Sequence, residues 1–270
     1  MIKESFILER EKQRPILIDW REPDIDSKGV VLFTHGFKGY KDWGDWNLMA
    51  DYFSQHGFIF IKFNFSCNGG TMENPIDFPD LKAFSENSYW QEQLDLIDLI
   101  KWSSTKFNSS LHLIGHSRGG AAVLLQADNC KVESVCSLAG VSDLKSRVSD
   151  EQRNTWLAGD DYMVLNGRTK QNMPMSPKFY NDLVNHAESL DIESVVSNTQ
   201  VPIMAIHAKD DQAVHYSDSL NLAKWNDKVI VHLLESSGHT FGMKHPSSET
   251  ELNDHLKGVF EKWGDFVAAV

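Results

Sequence analysis

In the run Gly115-His116-Ser117-Arg118-Gly119 a serine is flanked by glycines two positions away on either side. A serine hydroxyl attacks an acyl carbon only when a base takes its proton and a carboxylate orients that base. Ser117 as a nucleophile therefore calls for a histidine and an acid elsewhere in the chain, and the chemistry would be acyl transfer. The apolar run Leu111 to Ile114 precedes the motif and a helical pattern from Gly119 to Ala127 follows it. Strand, sharp turn and helix are the context that lifts a serine above a sheet. At such a turn Gly115 and Gly119 remove side chains that would meet the neighbouring strand and helix. The positive end of the helix then favours a developing oxyanion.

The base and acid are sought on later loops. After the strand-like run Pro202 to His207 comes Ala208-Lys209-Asp210-Asp211-Gln212-Ala213-Val214, which puts two carboxylates, Asp210 and Asp211, where ligands meet open α/β sheets. One strand later, Gly238-His239 follows Val229 to Leu233, and His239 is the best placed of the eleven histidines to be the base. His245 precedes Pro246 at the approach to the last helix, His35 and His116 read as structural neighbours of motifs, and His207 falls within or at the end of its strand. An oxyanion also needs two backbone donors. Arg118 N–H is one by position. Phe37 N–H is the other, in His35-Gly36-Phe37-Lys38-Gly39, where Gly36 lets the backbone turn closely over the site.

These residues must be held by strands alternating with helices, the pattern of an α/β protein with a mainly parallel central sheet flanked by helices. Ser5 to Leu8 and Pro15 to Trp20 predict an antiparallel entry hairpin. Val30 to Thr34, Phe58 to Phe65, Leu111 to Ile114, Val132 to Leu138, Ile203 to His207 and Val229 to Leu233 follow as strands. Helices are predicted at Trp46 to Gln55, Trp90 to Trp102, Gly119 to Ala127, Ser217 to Lys224 and about Glu249 to Phe266. Residues 141–200 break the alternation and read as a small helical cap inserted in a single domain spanning 1–270. Trp43, Trp46, Trp156 and the Met-rich segment Met163 to Met175, including Met173, suggest an apolar pocket for an acyl or aromatic group; the insertion's aromatic and Met residues equally suit the core of extra helices. Arg118, Lys38, Lys41 and Arg168 would suit a carboxylate instead.

Composition narrows the classes. With 270 residues, 41% of them hydrophobic, the chain can bury one sizeable core. A net charge of -12 disfavours a phosphate-binding surface, so nucleic acid is not an expected partner. No basic lead with an apolar run opens the chain and no stretch is long enough to cross a bilayer, so no membrane association and a cytoplasmic location are expected. Cys67, Cys130 and Cys136 lack C-x-x-C spacing and no His-Glu-x-x-His occurs; neither metal nor disulfide framework is expected. Nucleotide and dinucleotide loops are missing too, and no cofactor is expected.

His35-Gly36-Phe37, Gly115-His116-Ser117-Arg118-Gly119, Asp211 with Val214, and Gly238-His239 occur in the order found in the α/β-hydrolase superfamily, which the chain resembles over nearly its whole length. With Phe63-Asn64-Phe65-Ser66, the resemblance is greatest to cinnamoyl-esterase-like, dienelactone-hydrolase-like and acyl-peptidase-like proteins. It implies a nucleophile elbow at Ser117 and a triad completed by His239 and by Asp211, since the family's acid stands three residues before a valine. Ala208, Gln212 and His215 depart from the usual glycine and prolines, which leaves Asp210 open, and Asp143 matches a less common position of the acid. The implied activity is that of a serine esterase acting on a small acyl substrate, with amide or peptide hydrolysis, acyl transfer and an inactive binding protein as rivals.

Overall fold

Side-chain alternation in fully buried strands organises the molecule, whose computed structural model describes residues 1–269. The strands of the main sheet are β1 (Ile2–Leu8), β2 (Ile16–Glu22), β3 (Val30–Thr34), β4 (Ile59–Asn64), β5 (Leu111–His116), β6 (Val132–Leu138), β9 (Ile203–Ala208) and β10 (Ile230–Leu234); a separate hairpin holds β7 (Tyr162–Leu165) and β8 (Asn172–Met175). The eight-stranded order is β1-β2-β4-β3-β5-β6-β9-β10. β1 and β2 form the expected antiparallel entry hairpin, β2 meets β4 antiparallel, and every other pairing is parallel. Strands buried on both faces read as continuous apolar runs. In β3, Val30 and Leu32 face one core and Val31 and Phe33 the other.

Helices cover both faces: α1 (Trp46–Gln55), α2 (Leu81–Ser85), α3 (Tyr89–Phe107), α4 (Arg118–Leu124), α5 (Asp150–Leu157), α6 (Lys178–Asn185), α7 (Ile192–Asn198), α8 (Ser217–Trp225) and α9 (Asp254–Ala268). Helices α1 and α9 pack on one side through Phe53, Phe260 and Trp263. On the other, α3, α4, α7 and α8 contribute Leu96, Leu124, Val196 and Leu222. The last helix starts later than its sequence pattern suggests, because the Asn253 side chain accepts the N–H of Leu256 and so caps it there. α3 is longer than predicted: the Ser88 side chain caps its start and Asn108, in the left-handed region, ends it.

Residues 141–200 connect β6 to β9. They hold a short 3-10 turn, α5, α6 and α7, but also the hairpin β7–β8, so this segment is not purely helical as expected. Strand alternation accounts for the difference: Met163 and Leu165 turn to solvent while Met173 and Met175 turn inward. Among the described residues no helix is long and apolar enough to cross a membrane.

Candidate active site

Three loops at the C-terminal ends of β5, β9 and β10 converge. Ser117 stands between β5 and α4 with φ of +57°, a backbone region that costs a non-glycine residue about 1–3 kcal/mol and is held only where the surroundings enforce it. Its enforcers are plain. Ser117 N–H donates to the Leu138 carbonyl of β6. A Cβ on Gly115 would lie 2.1 Å from the Gly119 carbonyl oxygen, and one on Gly119 2.2 Å from that of Thr34. The turn therefore closes only with glycine at both positions.

His239 follows β10 and bridges serine and acid. Its Nε2 lies 2.9 Å from Ser117 Oγ and its Nδ1 2.7 Å from Asp211 Oδ2. Since a carboxylate only accepts, Nδ1 carries the hydrogen and Nε2 is left to take the serine proton. Asp211 is fully buried as a side chain, and burial alone would raise its pKa. Hydrogen bonds from His207 and His239 and the backbone N–H groups of Ala213 and Val214 outweigh burial and hold the carboxyl well below the usual carboxylate range. Asp210 and Asp143 are engaged elsewhere: Asp210 accepts the N–H groups of Ser237 and Gly238 and so braces the His239 loop, and Asp143 accepts those of Lys145 and Ser146.

Phe37 and Gly36 lie opposite. A Cβ on Gly36 would approach Ser117 Cβ to 3.0 Å, so the loop passes this closely over Ser117 because that Cβ is missing. Arg118 is the first residue of α4, and its N–H has no acceptor within the helix. His35 Nδ1 donates to the Gly36 carbonyl while Nε2 faces the Phe65 N–H, and burial lowers its pKa to about 4, so it stays neutral. His116 is likewise driven down to about 3 by burial, with its ring Nε2 donating to the His239 carbonyl.

Two cavities of about 300 and 330 Å³ flank this centre, and both are lined by Phe37, Ser117 and His239. Trp43 and Trp46 line the second, as do Lys38 and Arg168. Three expectations need correction. Trp156 and Met173 line neither cavity: Trp156 Nε1 donates to the Met175 carbonyl and its ring packs on Phe179 and Tyr180, and Met173 is fully buried on the inward face of β8. Met175 and Phe179, one layer nearer, form the wall instead. Lys41 does not face the site; with Lys62 it is buried in a four-charge cluster with Asp19 and Asp42. Arg168 pairs with Asp77.

Two further residues brace this arrangement without having been expected from the sequence. Glu92 accepts from Arg118 Nε at 2.8 Å; its signal was there, since Tyr89, Glu92, Leu96 and Leu99 share one buried helical stripe. His207, the second donor to Asp211, ends an ordinary buried strand and carries no such signal. Among the described residues no group of three or more His, Cys, Asp or Glu is placed to hold a metal ion.

No protein-family model matches the sequence, and no curated protein matches it. Solved structures do match in shape. Est1E from Butyrivibrio proteoclasticus superposes with a TM-score of 0.71 at 14% identity, covering 98% of each chain. Alpha/beta hydrolase domain-containing protein 10 from mouse gives 0.69 at 16%, covering 98% of this chain and 99% of its own. Paleococcus ferrophilus monoacylglycerol lipase gives 0.67 at 12%, covering 92% and 97%.

Proposed function

We propose that this chain, whose fold is that of the α/β-hydrolases, is a serine hydrolase that cleaves a carboxylic ester through an acyl-enzyme. The observation that carries the reading is the unbroken hydrogen-bond chain from Ser117 Oγ through His239 to Asp211. Ser117 Oγ bonds to the ester carbonyl carbon while His239 Nε2 takes its proton, and the negative charge passes to the carbonyl oxygen. The N–H groups of Phe37 and Arg118 receive that oxyanion. The tetrahedral species then expels the alcohol, which leaves with the proton from His239. Water, deprotonated by His239, attacks the acyl group, and the carboxylic acid departs as Ser117 regains its proton. Asp211 holds the ring and stabilises its charged form throughout.

The names of structural neighbours support ester chemistry, two being named esterases and one a lipase. A binding protein without activity has no chemical need for the serine, base, acid and glycine-lined approach together. Labelling with a fluorophosphonate tests the reading: folded wild type takes the probe at Ser117, and Ser117→Ala does not. Ser117→Ala also lowers turnover of a nitrophenyl ester by about six orders of magnitude if the three residues act as a unit. Failure of the folded wild type to label overturns the assignment.

A further inference from the structure

The smaller of the two cavities beside Ser117 has a polarity at odds with the rest of the chain. Two arginines, Arg118 and Arg147, belong to its wall, and no aspartate or glutamate does, although the protein as a whole carries a net charge of -12. Arg118 is 7% exposed. Its Nε is spent on Glu92, but its Nη2 is buried with no hydrogen-bond partner. The faces of Tyr89, Phe37 and Phe179, with ring centres 4.4, 5.3 and 5.2 Å from the guanidinium carbon, hold the group in place without accepting a hydrogen bond. A buried donor left unpaired is costly, and a guanidinium beside an open cavity recovers that cost by binding an anion. Arg147 adds a second, exposed cation, tethered to the Ala213 carbonyl, and Gln152 adds a neutral polar group. The remaining wall is apolar, with Val141, Leu144 and Met175.

We infer that this cavity selects esters that bear a carboxylate, with Arg118 and Arg147 receiving that group while the apolar wall takes the carbon chain between it and the scissile carbonyl. Glu92 then has a defined part: it neutralises one arginine, so that the core does not hold a lone charge, and it engages Nε, while Nη2 is without a partner and is left for the ligand. The inference rests on the serine hydrolase reading.

The test compares kcat/KM within two pairs of substrates. One pair is the nitrophenyl hemiester of a five-carbon dicarboxylic acid and its methyl-capped form, with the carboxylate on the acyl side. The other is acetoxybenzoate and its methyl ester, with the carboxylate on the alcohol side. In one pair the wild type favours the charged member by about tenfold or more, the size expected of a charge-assisted hydrogen bond, and that pair identifies which half of the ester enters the cavity. Arg147→Gln, on an exposed turn, and the paired change Arg118→Met with Glu92→Gln, which leaves no lone buried carboxylate, each bring the preference towards unity. No preference in either pair in wild type that labels with fluorophosphonate, or a preference that both variants retain, overturns the carboxylate assignment and leaves the hydrolase reading standing. If the wild type neither labels nor turns over, the hydrolase reading falls. Calorimetry with the free dicarboxylate then decides for the cavity: saturable binding weakened in Arg147→Gln supports it, and no binding overturns it.

Discussion

His207 places its Nε2 3.2 Å from Oδ2 of Asp211, the same oxygen that receives His239, and 2.9 Å from the Val214 carbonyl. Both partners accept, so Nε2 carries the hydrogen, and Nδ1 is left to accept from the Ser219 hydroxyl at 2.8 Å. His207 thus anchors the acid from below while staying out of reach of the cavities. His207→Leu removes one donor from a buried carboxylate. The expected result is a loss of about 2 kcal/mol in stability, with kcat for a nitrophenyl ester reduced about tenfold, equivalent to about 1.4 kcal/mol of barrier, and KM little changed. Steady-state kinetics beside a urea titration checks both.

The three acids separate in the same assay. Asp211→Asn lowers kcat by about four orders of magnitude, because the amide no longer fixes the productive ring tautomer of His239. Asp210→Asn loosens only the Ser237–Gly238 turn and lowers kcat within about tenfold, the effect of a small misplacement of the base. Asp143→Asn leaves the kinetics unchanged. A large effect at Asp143 would contradict this placement of the acid.

Burial lowers the pKa of His35 and His112 to about 4 and of His116 to about 3, against an ordinary 6.5. For each, the unfolded chain binds the proton that the folded chain refuses. The sign follows: their contribution is complete above pH 6.5 and is withdrawn as pH falls from there towards 4. Each contributes up to about 1.4 kcal/mol per pH unit across that window. Urea midpoints at pH 7.5, 6 and 5 are expected to fall steadily. Asp211, with its carboxyl held low by donors, adds its own loss only below the ordinary carboxylate range. A midpoint that is flat from pH 7.5 to 5 would show that these rings take up protons as readily in the folded chain as in the unfolded one.

Gly115→Ala and Gly119→Ala each set a methyl carbon against a carbonyl oxygen of the turn. Neither obstacle is the movable end of a side chain, so the backbone itself must shift. The expected cost is above the ~1–3 kcal/mol of ordinary overpacking, read as a lowered melting temperature with fluorophosphonate labelling lost in parallel. Gly258→Ala, inside α9 with nothing near its Cβ, is the control: labelling is kept and the melting temperature holds or rises slightly, since alanine favours a helix.

The parallel sheet and the meeting of Ser117 with His239 were legible because each rests on a local signal: buried strands as apolar runs, a sharp turn as paired glycines. Choosing between Asp210 and Asp211 needed three dimensions, since adjacent residues on a loop point different ways and only hydrogen bonds say which reaches the ring. The insertion was least legible. Trp156 and Met173 are large and apolar, a composition that serves a pocket wall and a packed interior equally well, and the difference is one layer of side chains. The hairpin β7–β8 leaves no mark in the sequence, because four-residue strands make too short an alternation to stand out.

The segment bearing Val141, Leu144, Met175 and Phe179 leaves the sheet at the end of β6 and returns in its neighbour β9, where Val135 pairs with Ile203. Every parallel pair requires such a crossover. Here the obligatory connection has been lengthened until it roofs a cavity, while Ser117, Asp211 and His239 all lie on other loops. On the proposed reading, reactivity and part of the selectivity are therefore separable: exchanging this one connection, which carries Arg147 and the apolar wall, would retune which molecules are admitted, while Arg118 and the atoms that break the bond stay in place.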